Sequence, residues 1–135
     1  MRKIHFRGFC PDLGRWLYGD LFHCGNRLIS HYTKLVPIVA IVEDDGTAME
    51  VDPKSVGQLT ERVDCKGKVI YEGDRLICLT NGVQYVVRWT SFGFSAQYLY
   101  DNHPFVINYD LGQLLLDRKL VNLGPEYKPD KNETE

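Results

Sequence analysis

The chain is short of the patterns that most enzymes, metal sites and membrane proteins carry. Its four cysteines, Cys10, Cys24, Cys65 and Cys78, include no Cys-x-x-Cys pair. Zinc sites usually draw ligands from pairs set a few residues apart. The nearest Cys/His grouping is Cys10, His23, Cys24 and His31, and its adjacent His23 and Cys24 would point to opposite faces of an extended segment. No metal and no cofactor are therefore expected, and free thiols in a reducing compartment are the reading. No apolar run approaches the length of a membrane span: the longest, residues 35–42, contains Pro37 and stops at Glu43. Met1-Arg2-Lys3 passes directly into alternation at Ile4, His5, Phe6 and Arg7, without the apolar core of a signal peptide, so a cytoplasmic location is expected. Neither phosphate-cradling pattern, G-x-x-x-x-G-K-[ST] or G-x-G-x-x-G, is present. Charge of one sign is lacking too. Sixteen basic against 18 acidic residues leave a net charge of -2, which gives no overall field to attract nucleic acid or an anionic membrane.

Catalytic residues are not expected either. No local signature surrounds the cysteines. Cys78 lies among apolar neighbours in a strand-like run, and Cys65, on a turn, is the thiol expected to react most readily. The carboxylates of Asp44, Asp45, Glu72 and Asp74 all stand in glycine-containing turns, where Asp and Gly serve local hydrogen bonding and positive φ rather than acid/base chemistry. A non-enzymatic protein follows from this.

What is present is a 135-residue chain with 44% hydrophobic residues, enough for one compact domain or two small lobes. Alternation over residues 4–9, the Pro11-Asp12-Leu13-Gly14 turn and a run over 16–22 predict a hairpin. A break at residues 23–26, a short strand over 28–32 and a β-branched run over 36–42 follow, with Pro37 suited to a strand start or edge. Asp44-Asp45-Gly46 turns the chain into residues 48–51. Further on, Asn81-Gly82 between strand-like runs is a strong hairpin signal. Strands over 94–100 and 105–109, a short helix capped by Asp110 and a closing strand over 120–123 complete the reading. The fold class is thus all-β, with at most one short helix, as a barrel or a pair of small sheets. The expected domains are an N-terminal β lobe over 1–51, a central crossover and β-barrel over 52–125, and a flexible tail over 126–135.

The candidate binding surface is aromatic: Tyr85, Arg88, Trp89, Phe94, Tyr98 and Tyr100, with Phe92 among them. Small β-barrels bind peptides or single strands on aromatic platforms flanked by positive charge. Alternation puts Tyr85, Val87 and Trp89 on one face and Val86 and Arg88 on the other, and one of these faces must be core.

The stretch Val51-Asp52-Pro53, then Val56-Gly57-Gln58-Leu59-Thr60, Asp64, Gly67 and Ile70-Tyr71-Glu72-Gly73-Asp74, resembles the central signature of the YopX-like proteins of phages and prophages. The opening, Arg2, Ile4, Phe6-Arg7, Trp16 and Tyr18-Gly19, is similar to that family's start. The resemblance implies SH3-type barrel elements and a mobile-element source, and it carries no catalytic residues. Gly73-Asp74 before an apolar strand agrees with an SH3-like turn into a strand. The structural signature is Asp52, Pro53, Val56, Gly57, Gly67, Tyr71, Gly73 and Asp74. The expected function is a binding or self-associating accessory module with an unidentified protein partner or a second copy of itself. The alternative is a single-stranded nucleic-acid-binding barrel, with Arg75 and Lys68 adding charge.

Overall fold

The computed structural model describes residues 5–29, 34–91, 93–98 and 108–129. The protein is mainly β, with eleven strands, one 3-10 turn and one α-helix over this part of the chain. It divides into two compact units, the first reaching Gln58 and the second spanning Leu59–Lys128. The division falls inside a strand rather than at the end of the 1–51 segment.

In the first unit β1 (Phe6–Cys10) pairs antiparallel with β2 (Arg15–Ile29), β2 with β3 (Lys34–Val42), and β3 with β4 (Ala48–Val51). Gly57 and Gln58, the start of β5 (Gly57–Val63), lie beside Arg7 and Phe6. The β1–β2 turn closes through the Gly14 N–H donating to the Cys10 carbonyl, with Gly14 at φ +66°. One face of the sheet buries Cys10, Leu17, Ile41 and Val51, with Phe6, Leu21, Val39, Met49 and Val56 packed against them. Full burial of each such aliphatic side chain contributes about 1.5–3 kcal/mol.

β2 differs most from the sequence reading. The break expected at residues 23–26 is a bulge between His23 and Asn26, with Gly25 at φ +108°, and the strand continues through it. Glycine absorbs the extra residue in a conformation other side chains resist, so pairing with β3 resumes at Asn26↔Pro37. A 15-residue strand results, far longer than the 5–6 residues usual in globular proteins.

In the second unit the remainder of β5 pairs with β6 (Val69–Tyr71). A second sheet has the order β10-β9-β8-β7-β11, built from β7 (Asp74–Cys78), β8 (Gln84–Thr90), β9 (Gly93–Tyr98), β10 (Asn108–Asp110) and β11 (Leu120–Pro125). The small barrel expected here is not seen as a closed one: among the described residues neither sheet closes on itself. The Asn81-Gly82 hairpin is present with a longer loop, because Gly82 alone takes positive φ (+73°) while Asn81 stays outside that region and accepts the Val83 N–H on its side-chain oxygen. Helix α1 (Leu111–Asp117) starts where Asp110 accepts the Gln113 N–H at 2.9 Å. It buries Leu111 and Leu114 in a core with Ile70, Leu76, Cys78, Tyr85, Val87, Ala96 and Leu120. No described helix is long and apolar enough to cross a membrane. Glu126, first residue of the expected tail, is anchored: its N–H donates to the Gly73 carbonyl and its carboxylate pairs with Arg88 at 2.7 Å.

Two glycines are required by packing. A Cβ on Gly19 would fall on the backbone carbonyl of Val42, whereas one on Gly8 would meet the buried Val51 side chain, 2.7 Å from a methyl carbon and 2.9 Å from its Cβ. Chemical denaturation should show Gly19→Ala less stable by about 3 kcal/mol, and Gly8→Ala by less. Equal and small losses would contradict this packing.

Candidate functional site

The aromatic set does not form one surface. Register pairs Tyr85 with Tyr98 and Trp89 with Phe94 across β8 and β9, so these four rings share a face. The Tyr85 end of that face is core, Tyr85 being buried and in edge-on contact with Tyr98 at 5.9 Å and with Tyr109 at 5.8 Å. Tyr98 and Phe94 are half-buried against the same core. Only the hairpin end is open: Trp89 is 58% exposed and rests edge-on against Phe94 at 4.7 Å. Arg88 projects to the other face by strand alternation and is held by Glu126. It does not flank Trp89 as a free cation. Tyr100 and Phe92 lie outside the described residues.

The turn carboxylates do not converge. Asp44 and Asp45 are exposed in the first unit, where Asp45 accepts the Thr47 N–H, while Glu72 and Asp74 belong to the second unit. Among the described residues no group of three or more His, Cys, Asp or Glu side chains is placed to hold a metal, and His31 lies outside them. Cys10 and Cys78 are buried, and Cys24 and Cys65 are exposed. Burial pushes the Cys78 thiol up. The Asn81 and Thr80 backbone N–H groups, the Thr80 side chain and the Arg118 charge outweigh this and bring it below its ordinary value.

Of the signature residues, Gly67, Tyr71, Gly73 and Asp74 gather around an inner polar network in the second unit, while Asp52, Pro53, Val56 and Gly57 belong to the first. Asp74 is 1% exposed, and its Oδ2 accepts from the Tyr71 N–H and from Asn122 Nδ2, each at 2.8 Å. Asn122 is saturated: Nδ2 also donates to the Val69 carbonyl, Oδ1 accepts from the Gly124 N–H, and its own N–H donates to Asp64 Oδ2 at 2.7 Å. Asp64 Oδ1 takes the Lys66 and Lys68 N–H groups. Gly67 sits in that turn at φ +84°, and Gly73 at φ +93° donates to the Val87 carbonyl. Burial pushes the Asp64 carboxyl up, but backbone donation from Asn122, Lys68 and Lys66 and the Lys68 charge outweigh it and hold the group below its ordinary value.

This network also seals a sheet edge. Leu79 N–H donates to the Lys119 carbonyl, so the backbone groups of Leu120 and Asn122 point away from β7. Cys65 N–H meets the Leu120 carbonyl at 3.0 Å, and Asp64 accepts from Asn122. The first unit repeats the device on β1, where Phe9 N–H donates to Ser55 Oγ at 2.7 Å and the Phe9 carbonyl accepts from the Asp52 N–H at 2.9 Å. Asp52 and Pro53 set that segment, Asp52 capping the 3-10 turn (Pro53–Ser55) by accepting the Lys54 N–H. Sequence reading missed Asn122, which has no local motif and acquires its role through partners 48 to 58 residues away.

Other features are exposed. Beyond the core of the first unit, residues 22–28 of β2 are all exposed, and Phe22 (52%), Leu28 and Leu35 (63%) show apolar surface, with Leu28 directly across from Leu35. A cleft of about 360 Å³ lies in the same unit, lined by Pro11, Asp12, Arg27, Val36, Pro37, Glu50, Val51, Asp52, Pro53 and Lys54. Arg27 and Glu50 form a two-pronged pair across it, both contacts at 3.0 Å.

The Asp64 carboxyl titrates lower folded than unfolded, where its value is about 3.9. Its contribution is complete above that value and is lost as pH falls through the folded one. Asp64→Asn should be about 2–3 kcal/mol less stable at pH 7, and its melting temperature should fall less steeply than wild type on acidification below about pH 4. Parallel pH profiles would contradict the assignment. In the folded protein an alkylating reagent should label Cys24 and Cys65, leaving Cys10 and Cys78 until unfolding, as peptide mass spectrometry would show. Comparison with models of known protein families, and with curated proteins, returns no match for this chain.

Proposed function

We propose that the protein is a non-enzymatic accessory module that acts in the cytoplasm by binding a protein partner or a second copy of itself. The observation that carries this reading is the β2–β3 arm, which holds Phe22, Leu28 and Leu35 out on a paired ribbon. Leu28 and Leu35, directly across from one another, are exposed apolar surface for a partner to cover, while Phe22, across from Ala40, is exposed on the opposite face of the ribbon. The turn carboxylates support the non-enzymatic part, because Asp45 and Asp74 are committed to backbone hydrogen bonds. The likeness of residues 51–74 to the YopX-like signature supports a phage or mobile-element origin. The five short antiparallel strands of the second unit, with Gly73-Asp74 leading into β7, support an SH3-type arrangement there.

A nucleic-acid-binding reading rests on one observation, the exposed Trp89 ring braced by Phe94, a sequence-tolerant stacking platform. It predicts salt-sensitive binding of single-stranded oligonucleotides that weakens in Trp89→Ala, and the absence of any mobility shift at low salt removes it.

Light scattering after size-exclusion chromatography tests the first reading. The account expects self-association at high concentration that Phe22→Ser combined with Leu35→Lys abolishes without lowering the melting temperature. A strict monomer at the highest soluble concentration removes the self-association part.

A further inference from the structure

β4 is an edge left open among the described residues. The Glu43 N–H donates to the Thr47 carbonyl, so along the β3–β4 ladder Ile41 pairs with Met49 and Val39 with Val51 through hydrogen bonds. The backbone N–H and carbonyl groups of Ala48 and Glu50 therefore point away from β3. The next outward group, the Asp52 N–H, is taken by the Phe9 carbonyl of β1. The seam stops there, because Pro11, two residues beyond Phe9, has no N–H with which to continue it. Ala48 and Glu50, both exposed, have no backbone partner among the described residues.

The 360 Å³ cleft adjoins this edge, with Glu50, Val51 and Asp52 forming one side and Pro11 and Asp12 among the residues lining the rest. Its volume is in the range of small-ligand clefts. Strand addition draws affinity from the backbone of an open edge and specificity from a pocket that takes alternate side chains, and both are present here. Charge decides the occupant. Arg27 is neutralised by Glu50, and the lining holds the three carboxylates of Asp12, Glu50 and Asp52 against the two cations Arg27 and Lys54. Val36, Pro37, Val51 and Pro53 supply apolar wall for a side-chain stem. The excess of one negative charge in the lining favours a cationic side chain there.

Building on the binding-module reading, we infer that β4 and its adjoining cleft take an extended basic peptide segment, its backbone pairing with Ala48 and Glu50 and a lysine or arginine side chain entering the cleft. The probe is a peptide alternating valine and lysine, compared with its valine–glutamate counterpart and with a copy methylated on alternate backbone nitrogens. Titration followed by amide NMR should show the lysine peptide shifting Ala48, Met49 and Glu50. The other two should bind at least about tenfold more weakly, and Asp12→Asn should weaken the lysine peptide severalfold. The three peptide comparisons change only the ligand, so misfolding of a variant does not confound them. Equal binding of all three peptides, no binding, or shifts that miss Ala48 and Glu50 would overturn the inference. If the lysine peptide fails but association through Phe22 and Leu35 persists, the peptide site alone is wrong. If both fail, the binding-module reading goes with it.

Discussion

The second unit depends on one residue, Asn122, whose backbone N–H and side-chain amide each bond a different buried carboxylate. Burying Asp64 and Asp74 carries a desolvation cost that hydrogen bonds to their carboxylates offset. Asn122 helps supply them by donating its backbone N–H to one acid and its side-chain N–H to the other, while the turn around Gly67 and the Tyr71 N–H supply further donors. The consequence reaches beyond local stability. The same bonds fix β11 beside β7, place Asp64 and Cys65 along the outer edge of β11, and hold Leu120 in the core.

Covering a sheet edge with the chain's own polar groups is the theme the two units share. An open strand edge is a template for pairing with another chain, and proteins blunt it where pairing is unwanted. Here β1 is capped by Ser55 and Asp52, and β11 by Asp64 and Cys65, each time through one side-chain oxygen and one backbone N–H. Among the described residues β4 has no such cap at Ala48 and Glu50. Against that background the exposed ribbon of β2 and β3 and the β4 edge differ from the rest: the first shows apolar side chains and the second has backbone groups at Ala48 and Glu50 with no backbone partner among the described residues.

Much of the fold could be read from local chemistry. The Pro11 to Gly14 turn, the Asp44-Asp45-Gly46 turn, the Asn81-Gly82 hairpin and the Asp110 cap all depend on residues within a few positions of one another, and the structure has an element at each. Continuity was harder. Nothing local shows that the glycine at position 25 lies in a bulge inside one strand rather than in a break between two, since cross-strand pairing decides it. The aromatic set failed as a single surface for a related reason: alternation sorts rings by face, but which end of a face is core depends on residues distant in sequence, such as Ile70, Leu111, Leu114 and Leu120. Asn122 was illegible because its partners are distant in sequence.

The central claim is that the chain closes β1 and β11 itself and that β4 is open among the described residues. Residue-resolved hydrogen–deuterium exchange tests it most directly, since it reads the backbone N–H groups on which the claim rests. The account predicts that the Phe9 and Asn122 amides exchange slowly, as core amides do, and that those of Ala48 and Glu50 exchange as freely as exposed loop amides. Slow exchange at Ala48 and Glu50, or rapid exchange at Phe9 and Asn122, would contradict it.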